Sequence, residues 1–250
     1  SPVFRHLFMG DNAGMIDGST VNQAAQEIIF PFPAHGVKTT SWGSSLFLIA
    51  STRTSGMDDW GTTEGWGGNR LRPTVTRTFF PGLIFVSNRK DLTTSQLSST
   101  RDDRALIYGD TDRTLTIPNI GKFKEGYSSI KFSNVRADGK PTNDPKFVDM
   151  DYPFMRKAEA YLIYAEAVLR GGSIVEGYQA LTAINALRTR AKARVLTTLA
   201  PPAGTTPAQI AFLATFTPVE LKTIFDERIR EFFMEGHRRT DLIRFNKFGG

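Results

Sequence analysis

The stretch from Tyr152 to Ala193 restricts the fold more than any other part of the 250-residue chain. From Phe154, apolar side chains recur at Ala158, Tyr161, Ala165 and Val168, with Leu162 and Leu169 alongside. Steps of three and four residues place them on one helix face. Lys157, Glu159 and Glu166 take the opposite face. Gly171-Gly172 ends this helix, because glycine enters the left-handed C-cap conformation without steric cost. A second run carries Tyr178, Leu181, Ile184, Leu187 and Ala191 on one face. Neither helix can bury its own stripe, so the pair must pack on each other or on neighbours.

Alanines at Ala158, Ala160 and Ala180, the Gly171-Gly172 turn and the aromatic wedges Tyr161 and Tyr178 resemble one tetratricopeptide helical hairpin. Residues 151–250 therefore read as a helical region that begins near Pro153, a residue suited to a first helical turn. After a Pro-, Gly- and Thr-rich linker at Thr198–Thr206, Thr217-Pro218-Val219-Glu220 has the pattern of a capping box. Leu221, Ile224, Phe225, Ile229, Phe232 and Phe233 form the apolar face of the helix it opens, Gly236 interrupts it, and His237–Phe245 forms a last short helix.

Residues 1–150 read as a loop-rich region with short strands. A short helix is expected at Thr20–Ala25. Glu27–Phe30 reads as a short buried strand stopped by Pro31 and Pro33, and Ser45–Ala50 is a second apolar run. Gly56 to Asn69 holds five glycines with Trp60 and Trp66, a composition typical of a functional loop. A short helix is expected at Arg72–Phe80. Leu83–Val86 is the one apolar run in 82–100. Leu106–Tyr108, Thr114–Ile117 and Ser129–Phe132 read as strands between turns. The fold class expected is mainly α: tetratricopeptide-like helical hairpins in an α-α superhelix, with a loop-rich region containing short β-strands.

Composition excludes several functions. There is no cysteine, so disulfides, thiolate zinc sites and cysteine nucleophiles are absent from these residues. No apolar run approaches the roughly 20 residues that cross a bilayer, and Ser1-Pro2-Val3-Phe4 lacks the basic start and apolar centre of a signal peptide. The net charge of +6 invites a nucleic-acid reading. The densest basic run is Arg188, Arg190, Lys192 and Arg194, whose spacing of two sends side chains to different sides of a helix. A solvated surface is the reading adopted, and no nucleic-acid partner is expected.

Phe154 to Ala167, with Arg156, Ala158, Glu159, Tyr161, Leu162, Tyr164, Ala165, Glu166 and Ala167, is similar to a segment of SusD/RagB-like proteins. Asp226-Glu227-Arg228, Glu231 and Glu235-Gly236-His237-Arg238-Arg239-Thr240-Asp241-Leu242-Ile243-Arg244-Phe245 resemble that family's long C-terminal motif. Glu27–Pro31, Ser41-Trp42-Gly43, Asp102-Asp103-Arg104-Ala105 and Lys131–Val135 match in order. The resemblance implies a non-catalytic protein on the extracellular face of the Bacteroidetes outer membrane, lipid-anchored through an N-terminal cysteine that this chain lacks. It implies capture of a glycan, or a peptide in some members, for delivery to a SusC-like TonB-dependent transporter. Members are about twice this length, so the chain looks like the C-terminal half of one.

A sugar site needs flat aromatic faces for the C–H face of a ring, with planar polar groups beside them for the hydroxyls. Trp60, Trp66 and Trp42, with Asn69 and Arg70, are the candidate ligand-binding residues. Each tryptophan has an alternative role as a plug of its loop onto the body. The Glu235–Arg244 segment has one histidine and no nucleophilic serine or cysteine at readable spacing, so it reads as an ion-pair network, with Asp241 within reach of Arg238 or His237. Asp110 with Asp112, and Asp149 with Asp151, lack a calcium-loop pattern and read as turn caps. No catalytic residue, metal or cofactor is expected. A tetratricopeptide-like protein scaffold and a glycoside hydrolase stand as rival functions.

Overall fold

The computed structural model describes residues 3–14, 18–80, 102–109 and 113–248. The chain divides into two compact units, Ser1–Lys157 and Ala158–Gly250. Helices supply most of the regular structure among the described residues, beside a loop-rich region with four short strands.

The first unit contains helices α1 (Ser44–Ala50) and α2 (Pro73–Phe79) and 3-10 turns at Phe4–Phe8 and Ala24–Gln26. Strands β1 (Ile28–Phe32) and β4 (Tyr152–Arg156) pair antiparallel, as do β2 (Ile107–Tyr108) and β3 (Ser128–Ser129). The helix expected at Thr20–Ala25 is reduced to the 3-10 turn, the apolar run Ser45–Ala50 is α1, and Thr114–Ile117 supplies only one bridge, from Thr114 to Glu125. Leu83–Val86 lies outside the described residues.

A body with so little sheet must satisfy its backbone by other means. The segment 130–137 does so as a spine. The Ile130 N–H donates to Leu106 O (2.9 Å), Ser133 N–H to Phe8 O (2.9 Å), Asn134 N–H to Trp60 O (2.8 Å), and Val135 O accepts from Gly10 N–H (3.0 Å). The Asn134 side chain extends the network: Nδ2 donates to Gly61 O (2.9 Å), and Oδ1 accepts from Asp149 N–H (2.7 Å). Gly61 has φ +79°, and a Cβ there would lie 2.3 Å from the Asn134 carbonyl carbon, so only glycine fits. Phe8 and Phe132 meet edge to face at 5.2 Å beneath this spine. Arg53, buried just after α1, donates to Ser129 O and Phe132 O, and burial pushes its guanidinium down to about 10.

Two expectations for the sheet region fail. Glu27–Phe30 was expected to be a buried strand ending at Pro31; β1 instead runs through Pro31 and is largely exposed, with Ile29, Phe30 and Phe32 about half accessible. Pro31 faces Pro153, and the register shifts on both sides of Phe30; proline, which has no N–H to give a ladder, is tolerated at such irregularities. The helix expected from Pro153 starts only at Lys157, because Tyr152–Arg156 pairs with β1.

The second unit is helical: α3 (Lys157–Leu169), α4 (Ala180–Arg190), α5 (Pro207–Ala214), α6 (Leu221–Phe232) and α7 (Arg238–Arg244). Ala158, Leu162 and Ala165 of α3 share one core with Ala180, Ala183, Ile184 and Leu187 of α4 and Leu221, Ile224, Phe225 and Phe232 of α6. The α3 stripe is thus rotated from the sequence reading. Leu162 is fully buried and Tyr161 is exposed. Gly171, at φ +97°, closes α3, and Gly172 N–H bonds Ala167 O at 2.8 Å.

The capping box forms at a different site. Thr206 and Gln209 cap each other at the start of α5, a helix that the sequence reading missed. At Thr217-Pro218 no such box forms, and α6 follows a tight turn in which Leu221 N–H bonds Pro218 O (3.1 Å). The two segments share the pattern Thr-Pro-x-Gln/Glu, so pattern alone could not separate them.

Charge placement also differs. Glu166, expected on the solvent face of α3, is buried and paired with Arg170 (2.9 Å) and Arg244. Arg188 and Arg190 are not a solvated surface: they reach Glu227 (2.7 Å) and Glu231 (2.5 Å), both fully buried on α6. Glutamates four apart share one helix face, so α6 presents two carboxylates to the end of α4. Asp241 bonds Arg228 (2.6 Å) and Arg244 (2.9 Å) and acts on Arg238 only through its charge, while His237 lies 3.4 Å from Glu159. Arg238 lies 3.8 Å over the Phe225 ring, and burial lowers its pKa.

Adjacent residues of α3 test this packing. Leu162→Ala removes a side chain with no accessible surface and should cost about 2–5 kcal/mol in urea unfolding. Ile163→Ala, at a half-exposed position, should stay within about 0.5 kcal/mol. Equal costs would place the buried stripe elsewhere on the helix.

Candidate functional site

Four aromatic rings of the first unit form a row. Trp66 meets Phe47 (6.3 Å between centroids) on one side and Trp42 (6.1 Å, planes at 37°) on the other. Trp42 then meets the edge of Phe147 (5.4 Å, 67°). Trp42 is 51% exposed, Phe47 47% and Trp66 38%.

Backbone bonds fix the segments that carry them. The chain after the Gly56–Asn69 loop returns to the C-terminal end of α1: Trp66 N–H (2.8 Å) and Gly67 N–H (3.2 Å) donate to Ala50 O, and Asn69 N–H donates to Ser51 O (2.8 Å). Carbonyls at a helix end have no partner within the helix, and this loop supplies one. The other flank is tied to the turn at Asn143–Phe147. Thr63 N–H donates to Pro145 O (2.8 Å), and the Thr62 hydroxyl donates to Lys146 O (2.5 Å). Asp144 Oδ1 accepts from both Lys146 and Phe147 N–H at 2.8 Å, and these backbone bonds lower its pKa.

Two charged groups border the rings. Glu64 Oε2 accepts from Trp66 Nε1 (3.0 Å), while its Oε1 lies 4.0 Å from Lys146 Nζ. Lys146 Nζ sits 4.3 Å over the Trp42 ring, within cation–π range. Phe47, Glu64, Lys146 and Phe147 were not among the sequence candidates. The signals for the last two were faint: a Lys-Phe pair directly after the Asn143-Asp144-Pro145 turn.

The five sequence candidates separate into two groups. Trp42 and Trp66 stand in the row. Trp60, partly buried, donates Nε1 to Glu64 O (2.7 Å) and lies so close to Gly65 that a Cβ there would be 2.9 Å from the indole. Asn69 Nδ2 donates to Ser51 Oγ (2.8 Å). Arg70 donates to the carbonyls of Gly68 (3.0 Å), Ile120 (2.8 Å), Lys122 (2.7 Å) and Glu125 (3.1 Å), and stacks on Phe123. The structure thus places Trp42 and Trp66 at the surface row, whereas Trp60 bonds within its own loop, Asn69 bonds the end of α1 and Arg70 bonds the carbonyls of the 120–125 segment.

Other candidate chemistry resolves into structure. Asp149 accepts from the N–H of Gly36 and Asn143 (both 2.7 Å), and Asp151 from that of Ala34 (2.8 Å). Asp110 and Asp112 lie outside the described residues. In the second unit, a depression of about 470 Å³ on α4 is lined by Leu181, Thr182, Asn185, Ala186 and Thr189. Asn185, its one amide, bonds both the N–H and the C=O of Leu196.

Comparison with known proteins agrees with this architecture. Residues 39–249 match the SusD family. The chain is 34% identical to the starch-binding protein SusD of Bacteroides thetaiotaomicron, over 98% of this chain and 44% of that protein, so it spans less than half of the relative's length. Two solved structures share the fold. A SusD-like carbohydrate binding protein from Bacteroides fragilis has TM-score 0.55 and 20% identity, over 97% of this chain and 44% of that one. Surface glycan-binding protein A from Bacteroides fluxus has TM-score 0.54 and 18% identity, over 96% and 47%. With a match across residues 39–249 and an identity of 34% to a curated member, the chain belongs to the SusD family.

Proposed function

We propose that this chain carries a non-catalytic glycan-binding surface, formed by the row Phe47–Trp66–Trp42–Phe147 with Glu64 and Lys146 at its edge. The observation that carries the reading is the exposure of Trp42 and Trp66 side by side. Large aromatic faces left in water lose apolar burial unless a ligand covers them. A pyranose presents an apolar C–H face to such a ring, and its hydroxyls can bond charged groups at the rim. The two rings, inclined at 37°, meet successive sugar units at different angles and suit a chain of sugars better than a single one.

Membership of the SusD family supports a saccharide ligand, since the curated relative is a starch-binding protein. It also supports the wider setting: a whole protein lipid-anchored on the extracellular face of the outer membrane, which passes the oligosaccharide to a SusC-like TonB-dependent transporter. A non-catalytic role fits the bonds of the nearby carboxylates. Glu64 and Asp144, the carboxylates beside the rings, hold an indole and a turn.

Tryptophan-fluorescence titration with maltohexaose, other neutral and acidic oligosaccharides and short peptides tests the reading. A saturable response to a saccharide is expected, and Trp42→Ala and Trp66→Ala should each weaken it about ten-fold, near 1.4 kcal/mol, with thermal melting unchanged. Unaltered affinity in both variants, or a response to peptides alone, overturns it. Arg70→Ala should act on the frame instead. Loss of its carbonyl bonds should destabilise the protein by about 1–3 kcal/mol in urea, with faster hydrogen exchange over 119–126.

A further inference from the structure

We infer that Lys146 sets the charge preference of the aromatic row: its ammonium shields the Trp42 face from neutral sugars and pairs with a saccharide that carries an anionic substituent. The inference rests on the binding role proposed above and names the ligand chemistry of that surface.

The backbone that carries the lysine is fixed. Its N–H is fixed by Asp144 and its carbonyl by the Thr62 hydroxyl, and the preceding carbonyl of Pro145 is taken by Thr63 N–H. From that fixed backbone the side chain lies across Trp42, with Nζ 4.3 Å from the ring centroid and 5.9 Å from that of Phe147. The neighbouring carboxylate does not take its protons. Glu64 Oε1 is 4.0 Å away, beyond hydrogen-bonding distance, and the other Glu64 oxygen is bonded to Trp66 Nε1. The ammonium therefore has a π face and a distant carboxylate but retains donors for an incoming acceptor.

A sugar C–H face and an ammonium compete for the same negative face of an indole. A neutral ring that stacks there must displace the cation, which weakens binding about two- to five-fold at an exposed site. An anionic sugar can displace the ammonium and pair with it, which recovers a similar factor. Carboxylate and sulfate ester share this chemistry.

The test compares maltohexaose, sulfated maltohexaose and hexagalacturonate on the wild-type chain, Lys146→Met and Trp42→Ala. Methionine retains most of the side-chain stem and removes the charge. The wild type should bind an anionic probe more tightly than maltohexaose, with the preference shrinking between about 0.05 M and about 0.5 M salt. Lys146→Met should tighten maltohexaose binding and reduce the anionic-to-neutral affinity ratio about two- to five-fold. The probe with the greater wild-type preference, sulfate or carboxylate, identifies the substituent. An unchanged ratio in Lys146→Met, with Trp42→Ala still weakening binding, overturns the inference and leaves the binding surface standing. Full affinity in Trp42→Ala overturns the inference; the same result in Trp66→Ala as well, or no binding of any probe to the wild type, overturns both.

Discussion

Asn134 is the constraint on which the first unit depends. Its N–H and side-chain amide grip successive carbonyls of the Trp60–Gly61 turn, and its side-chain oxygen holds Asp149 N–H. One residue thereby ties the loop that carries Trp66 to the segment that carries Lys146 and Phe147. Gly10 and Gly61 press against its backbone so closely that a Cβ at either would collide. Backbone polar groups cut off from water must be paired. In a body with two short strand pairs, side chains such as Asn134, Asp144, Asp149, Arg53 and Arg70 perform much of that pairing.

The second unit rests on a different balance. Small residues, Ala158, Ala165, Ala180 and Ala183, line its core beside leucines, isoleucines and phenylalanines. Around that core run guanidinium–carboxylate pairs with at least one buried partner: Arg188–Glu227, Arg190–Glu231, Arg228–Asp241 and Arg244–Glu166. Isolated charges in such positions would be costly, and pairing offsets much of that cost. The pairs also select geometry, because Glu227 and Glu231 reach arginines of α4 only in one rotation of α6.

The sequence was most informative at the apolar face of α6 and at glycine stops. The α6 face and the Gly171 turn are at the expected residues, and α4 begins within the expected run. It was least informative where a partner far along the chain decides the outcome. Tyr152–Arg156 has helix-compatible spacing but becomes a strand because Ile28–Phe32 lies beside it. Glu166 looks like a surface residue until Arg170 and Arg244 are placed around it. The surface row was half legible. Trp42 and Trp66 stand out by residue type in a glycine-rich setting, whereas Phe47, Glu64, Lys146 and Phe147 join them only through loop packing. Trp60, Asn69 and Arg70 have the same types as ligand contacts, and only their hydrogen-bond partners show what they hold.

That separation between side chains that bond their own backbone and side chains that face solvent has an evolutionary consequence. The side chains of Trp42, Phe47 and Lys146 contribute few bonds to the frame, so point substitution there can rewrite what the surface touches without insertion, deletion or a new fold. Gly10, Gly61 and Asn134 are fixed by contact distance. Divergence among chains built on this frame should therefore be uneven at the scale of single residues, with interchangeable and immovable positions interspersed along the same unit.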